Sequence, residues 1–162
     1  MRWFMELAYP IWHRSRHRSA HEAARAPVTL HDFEALRDAR QCLVVTYKRS
    51  GEPVPTPVNC AVSDDGKLYF RSEPHVAKIK RIQNDPRVRV AACSTRGKPR
   101  GPVAEGVARV LPESESGTAY AALRSNWRAD MKAVEIALDR LGVPAAYVEV
   151  APAERAEPGP TT

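Results

Sequence analysis

Three prolines, Pro53, Pro55 and Pro57, occupy alternate positions in a run, PVPTPVNCAV, that otherwise has the apolar, β-branched character of a strand. Proline has no backbone N–H to give to a ladder, so the run predicts an edge, a bulge or a departure from pairing. A strand of that kind often leaves backbone groups for a ligand. It is flanked by QCLVVTYK before and KLYFRS after, with RSGEP and DDG as the turns between them. Two more runs, RVRVAACS and PVAEGVARVL, flank the Gly/Pro-rich turn TRGKPRG and read as a hairpin, and AAYVEV is a last strand. About six strands with few helices predict a mainly β chain with added helices (α+β), a small Greek-key or split β-barrel.

The helical signals are fewer. TLHDFEALRDAR predicts a short helix with Thr29 as N-cap and Phe33 and Leu36 on one face. ESESGTAYAALRSNWRADMKAVEIALDRLG predicts one or two helices ending at Gly142. Residues 1–27 read as a separate extension, 28–151 as the barrel domain and 152–162 as a disordered polar tail. In the extension, Trp3, Phe4, Leu7, Ala8, Ile11 and Trp12 follow helical spacing, and Arg14, Arg16, His17 and Arg18 come next. The expectation is a helix docked on protein. The alternative is peripheral contact of residues 1–18 with an anionic membrane surface.

With 162 residues the chain is of one-domain size and needs no disulfide or metal to hold a core. Twenty-five Lys plus Arg against 19 Asp plus Glu give a formal net charge of +6, which favours anionic partners without choosing among them. Basic residues are scattered and no aromatic platform accompanies them, which argues against nucleic acid. Cys42, Cys60 and Cys93 have no metal-ligand spacing, so no metal site is expected, and an odd count of separated cysteines suits a reducing, cytoplasmic setting. No apolar run is long enough to span a bilayer.

The stretch LYFRSEPHVAKIKRI carries the strongest functional signal. A helix from about Val76 to Asn84 would put Val76, Ile79 and Ile82 on an apolar face and Lys78 with Arg81 on the other side. Pro86 stops it. A strand end with Arg71 and Ser72, a helix N-terminus and Lys78 in its first turn make a compact anion site. Taken by itself, the stretch fits a solvated amphipathic helix equally well. No Ser/His/Asp or Cys/His set stands out, and no side chain is assigned a catalytic role.

The order of these motifs resembles the pyridoxamine-phosphate-oxidase-like, FMN-binding split β-barrel superfamily. The pieces that carry the resemblance are G-x-P-x-x-T-P-V, then L-Y-F-R-S…K-x-K-R-I-x-x-x-P-R-V, then R-G-x-P-x-G-P-x-x-E-G-x-A-R-V, across Cys42 to Leu111. The likeness is nearest to the actinobacterial branch that uses the deazaflavin coenzyme F-420. It implies a homodimer with cofactor sites at the subunit interface. Thr56, Pro57 and Val58 would line the deazaflavin ring. Arg71, Ser72, Lys78 and Lys80 would hold the phosphate, and Ala92, Cys93 and Ser94, on to Thr95, would sit near the cofactor. Where that branch often has an aromatic after TPV, this chain has Asn59 and Cys60. The implied activity is an F-420-dependent oxidoreductase passing a hydride to an unsaturated small molecule. FMN is the alternative cofactor, and a non-catalytic carrier or membrane-surface module is the rival class.

Overall fold

A computed structural model describes residues 18–127 and 129–153. The N-terminal apolar stripe and the tail from 154 onward lie outside the described residues. Seven strands form one sheet: β1 (Val28–Leu30), β2 (Gln41–Tyr47), β3 (Pro53–Val62), β4 (Leu68–Ser72), β5 (Arg87–Ala92), β6 (Val103–Val110) and β7 (Ala146–Pro152). Their order is β1-β6-β5-β2-β3-β4-β7, and a further β6–β7 pairing closes six of them into a barrel. All barrel pairings are antiparallel. The six expected strands and the β5–β6 hairpin are all present. β1 is the addition, parallel to the start of β6.

That addition corrects one expectation. TLHDFEALRDAR is not a helix with Thr29 as its cap, because Thr29 lies in β1. Only a 3-10 turn, Glu34–Leu36, follows, with Asp32 Oδ1 accepting from the Glu34 N–H at 3.0 Å. Val28 and Thr29 are β-branched, and the first residues of β6 offer a free edge for them. Phe33 and Leu36 are buried as expected, inside the core.

The proline-rich strand pairs with β2 without interruption, from Gln41↔Asn59 to Tyr47↔Pro53. It meets β4 only through Cys60–Val62. Its first half is therefore an edge on the side away from β2. Pro53, Pro55 and Pro57 alternate because each must sit where its missing N–H would have pointed away from β2. The edge lacks donors there, so a further strand cannot pair along it.

The inward residues of β2, β3, β4, β5 and β7 make one core with Phe33, Leu36, Ile79 and Ile82. α1 (Ala20–Ala23) lays Ala20 and Ala23 over the outward side chains of Leu43, Ala91 and Cys93. α3 (Ser116–Asn126) and α4 (Ala129–Arg140) are the two helices expected before Gly142. Ala119, Leu123 and Trp127 pack with Tyr69 and Tyr147 in a second cluster on the outside of the barrel. Gly142 has φ +64°, and the Gly142 and Val143 amides bond back to Asp139 and Leu138, ending α4 in a Schellman motif.

α2 (Ala77–Asn84) follows β4 after a short link, with Val76 as N-cap. Asp85 is extended (φ −141°, ψ 105°), as the residue before Pro86 should be. Ile79 and Ile82 face the core as expected. Lys78 does not face solvent, which corrects the sequence expectation: it is buried with them, its Nζ 5.2 Å from the centre of the Phe70 ring. Among the described residues no helix is long and apolar enough to cross a membrane.

Candidate functional site

The β-strand alternation decides which expected residues meet. Phe70 points inward, so Ser72, two residues on, shares its face, and Arg71 points to the other side of the sheet. Arg71 there forms ion pairs with Glu135 and Asp139 of α4, the latter at 3.5 Å. On β3, Val58 and Cys60 are in the core, so Thr56 points inward as well.

α2 crosses this inner surface. Lys78 sits against Phe70, which faces Cys60 across the ladder. Three residues later, Arg81 donates from Nε to Thr46 Oγ1 at 2.7 Å, and Thr46 faces Val54. Thr56 lies between those two points on β3. Its Oγ1 is a buried oxygen with no hydrogen-bond partner. From α2, Lys78 reaches the Phe70 end and Arg81 the Thr46 end of the inward face at one barrel mouth, the face on which Thr56 and Ser72 also lie. Buried hydroxyls are normally satisfied, which makes the Thr56 hydroxyl a candidate contact for a ligand or water. Lys80, on the same helix, is exposed and lies away from the core.

Ala92, Cys93 and Ser94 line a groove of about 830 Å³ near the start of β2, with Ala92 packed toward the core and Cys93 on the outer side of the sheet. Gln41, Asn59 and Ala92 form its floor, and the 3-10 turn with Asp38, Ala39 and Arg40 forms one wall. The β5–β6 hairpin supplies Cys93, Ser94, Thr95 and Arg100, and the end of α3 supplies Asn126 and Trp127. Ser94 shapes the hairpin: its Oγ accepts from the Lys98 N–H at 3.1 Å, and its carbonyl accepts from the Gly97 N–H at 2.7 Å. Gly97 has φ +78°, and a Cβ there would lie 3.4 Å from Leu43 and 3.7 Å from Pro57, so the hairpin folds down over Pro57. Pro57 is covered on its outer side by this turn.

The thiols are not nucleophiles here. Cys42 and Cys60 are fully buried, and Cys60 Sγ donates to the Ala39 carbonyl at 3.6 Å. Its contact with Cys42 and its burial push the Cys60 thiol well up. Burial pushes Cys93 up to about 12. Thiols this inaccessible do no covalent chemistry. Among the described residues no three His, Cys, Asp or Glu side chains gather to hold a metal ion.

Sequence reasoning missed Thr46 and Arg40, Gln41, Arg100, Asn126 and Trp127 as parts of these two sites. Asn59 was noticed only as a departure from the branch pattern. The three basic residues of TRGKPRG and the break at SNW between the two helices were the signals present.

The same fold is found in solved structures of low identity. A protein of unknown function from Agrobacterium tumefaciens str. C58 is 20% identical over 80% of this chain, with a TM-score of 0.55; the match spans 60% of that chain. A FAD-binding protein from Mesorhizobium loti is 20% identical over 74% of this chain and 83% of its own, with a TM-score of 0.51. An F-420 reductase is 16% identical over 78% of this chain and 97% of its own, with a TM-score of 0.51. No curated protein sequence is similar enough to count as a relative. The profile of the pyridoxamine 5'-phosphate oxidase family matches residues 31–154, which takes in the whole closed barrel and both sites. The chain belongs to the pyridoxamine 5'-phosphate oxidase family.

Proposed function

We propose that this protein is an oxidoreductase that uses the deazaflavin coenzyme F-420 and reduces an unsaturated small molecule. The observation that carries the reading is the barrel mouth: Lys78 and Arg81 from one helix, the inward hydroxyls of Thr46 and Ser72, and the orphaned Oγ1 of Thr56. That donor set suits a phosphate, and the adjoining strand Thr56–Val58 suits the ring of the coenzyme. Ser72 and Lys78 would hold the phosphate with help from the first turn of α2, while Lys80, on the exposed side of that helix, would add only its longer-range charge. Arg71 would instead fix α4 against β4, where its carboxylate partners are.

When bound, the reduced coenzyme supplies the hydride. The chain's own part is to bind, orient and exclude water. Lys78 is held between the Phe70 ring and the core, so its charge is already partly desolvated and acts strongly on a nearby anion. Val58, Cys60 and Phe70 close the barrel beneath the mouth and keep water from one side of it. The protein would work as a homodimer, the second subunit covering the edge of β3.

FMN is the second reading, because a phosphate grip of this kind serves either cofactor, and the fold neighbour from Mesorhizobium loti binds FAD. Fluorescence titration of the purified full chain with coenzyme F-420, FMN and FAD tests the proposal. Saturable binding with preference for F-420 is expected. Preference for a flavin would overturn the choice of coenzyme and leave the mouth as the site. Binding of none of the three would overturn the proposal. Light scattering should return the mass of a dimer.

A further inference from the structure

In the groove, Gln41 and Asn59 lie on the face of β2 and β3 opposite the barrel mouth; the cofactor reading draws on its Ala92–Thr95 wall but not on its arginines. Its two basic residues come from different elements: Arg40 from the link into β2, and Arg100 from the β5–β6 hairpin. Neither guanidinium has a carboxylate partner among the described residues, unlike Arg37, Arg71, Arg87, Arg89 and Arg109. Arg100 and Cys93 both line the groove from the β5–β6 hairpin. Asp38 is the acidic residue on the rim, and its charge acts on Arg37.

The floor and end wall are polar and flat. Gln41 Nε2 donates to Asn59 Oδ1 at 3.3 Å, which holds the two amides side by side. Asn126 Nδ2 donates to both the Ala39 and the Cys60 carbonyls, at 3.0 and 2.7 Å. Both of its hydrogens are used, so the amide is fixed with its oxygen left to accept. Trp127 stands next to it, held edge-on by Tyr120 at 5.9 Å between ring centres. An aromatic wall, fixed amides and two guanidinium groups suit one class of ligand.

We propose that this groove binds a small planar carboxylate, with Arg40 and Arg100 on its anionic end and its ring between the Asn59 and Asn126 amides and the exposed edge of Trp127. The inference goes beyond the cofactor reading and is tested without any cofactor. Isothermal titration calorimetry would use the full chain with trans-cinnamate, and with methyl cinnamate as its neutral counterpart. The acid should bind about tenfold or more tighter than the ester. Arg40→Gln and Arg100→Gln should each weaken the acid by about tenfold and leave the ester unchanged. Arg96→Gln, on the same hairpin but outside the groove, should change neither. Both groove arginines are exposed, so these variants should fold. Equal binding of acid and ester, no saturable binding of the acid, or wild-type affinity in both groove variants would overturn the proposal. A failed cofactor titration would not alter any of these outcomes.

Discussion

Arg81 donates from Nε to the hydroxyl of Thr46 at 2.7 Å, and this bond joins α2 to β2 across the barrel mouth. Thr46 is fully buried and its own donation, to the Val54 carbonyl, is long at 3.4 Å. A hydrogen bond to a charged group is worth about 1.5–3 kcal/mol. Arg81→Met should lower unfolding stability by roughly that amount. In a double-mutant cycle with Thr46→Val the losses should be non-additive, with a coupling of about 1 kcal/mol by urea denaturation. Strict additivity would mean that α2 is held by its apolar face alone.

At Gly106 the closure of the barrel leaves no room for a side chain. A Cβ there would lie 2.6 Å from Val150 Cγ1, 2.7 Å from the Ala151 carbonyl oxygen and 2.9 Å from Phe33 Cζ. The backbone oxygen cannot move without parting β6 from β7 at Gly106↔Pro152 and Val107↔Ala151. Gly106→Ala should therefore cost about 2–3 kcal/mol or more, seen as a lower melting temperature. A melting curve like that of the wild type would show that β6 and β7 are not this tightly paired.

Glu149 collects three donors on the outer face of the barrel: Lys67 Nζ at 3.2 Å, Tyr69 OH at 3.1 Å and Arg109 at 3.2 Å. Burial pushes its pKa up, but the hydrogen bonds from Arg109, Lys67 and Tyr69 outweigh that and hold it below its ordinary 4.5. A carboxylate depressed in the folded state adds stability above its unfolded value and loses it as pH falls through the folded one. Wild type should thus lose stability between about pH 5 and about pH 3 more steeply than Glu149→Gln. Urea midpoints across that range check this, and parallel curves would contradict it.

How much of this was legible in the sequence depends on the period of each signal. All six barrel strands could be read, because alternation and turn residues are local properties. The edge half of β3 was legible from three prolines whose missing donors leave few options. The failure at TLHDFEALRDAR has a non-local cause: Thr29 joins β6, about seventy residues away, and a twelve-residue helical pattern cannot register that partner. Lys78 was misplaced for a similar reason. Helical spacing assigns it to the polar side, but the Phe70 ring offers its ammonium a place within the core. Ala92 to Ser94 were expected near the cofactor; they line the groove, Ala92 packed toward the core and Cys93 outward, with their hairpin folded over Pro57. The groove draws on four separate stretches of chain, so Asn59 and Ala92 to Thr95 stood out in the sequence while Arg40, Gln41, Asn126 and Trp127 did not.

The most direct test of the central claim is the affinity of Lys78→Met for coenzyme F-420. Methionine keeps an apolar stem over Phe70 and removes only the charge, so the barrel should stay folded, which circular dichroism would check. The dissociation constant, read by coenzyme fluorescence, should rise about tenfold to a hundredfold over wild type. Arg124→Ala, on the exposed side of α3, should leave it unchanged. Tight wild-type binding that Lys78→Met does not weaken would contradict the claim that the mouth between α2 and β3 holds the phosphate.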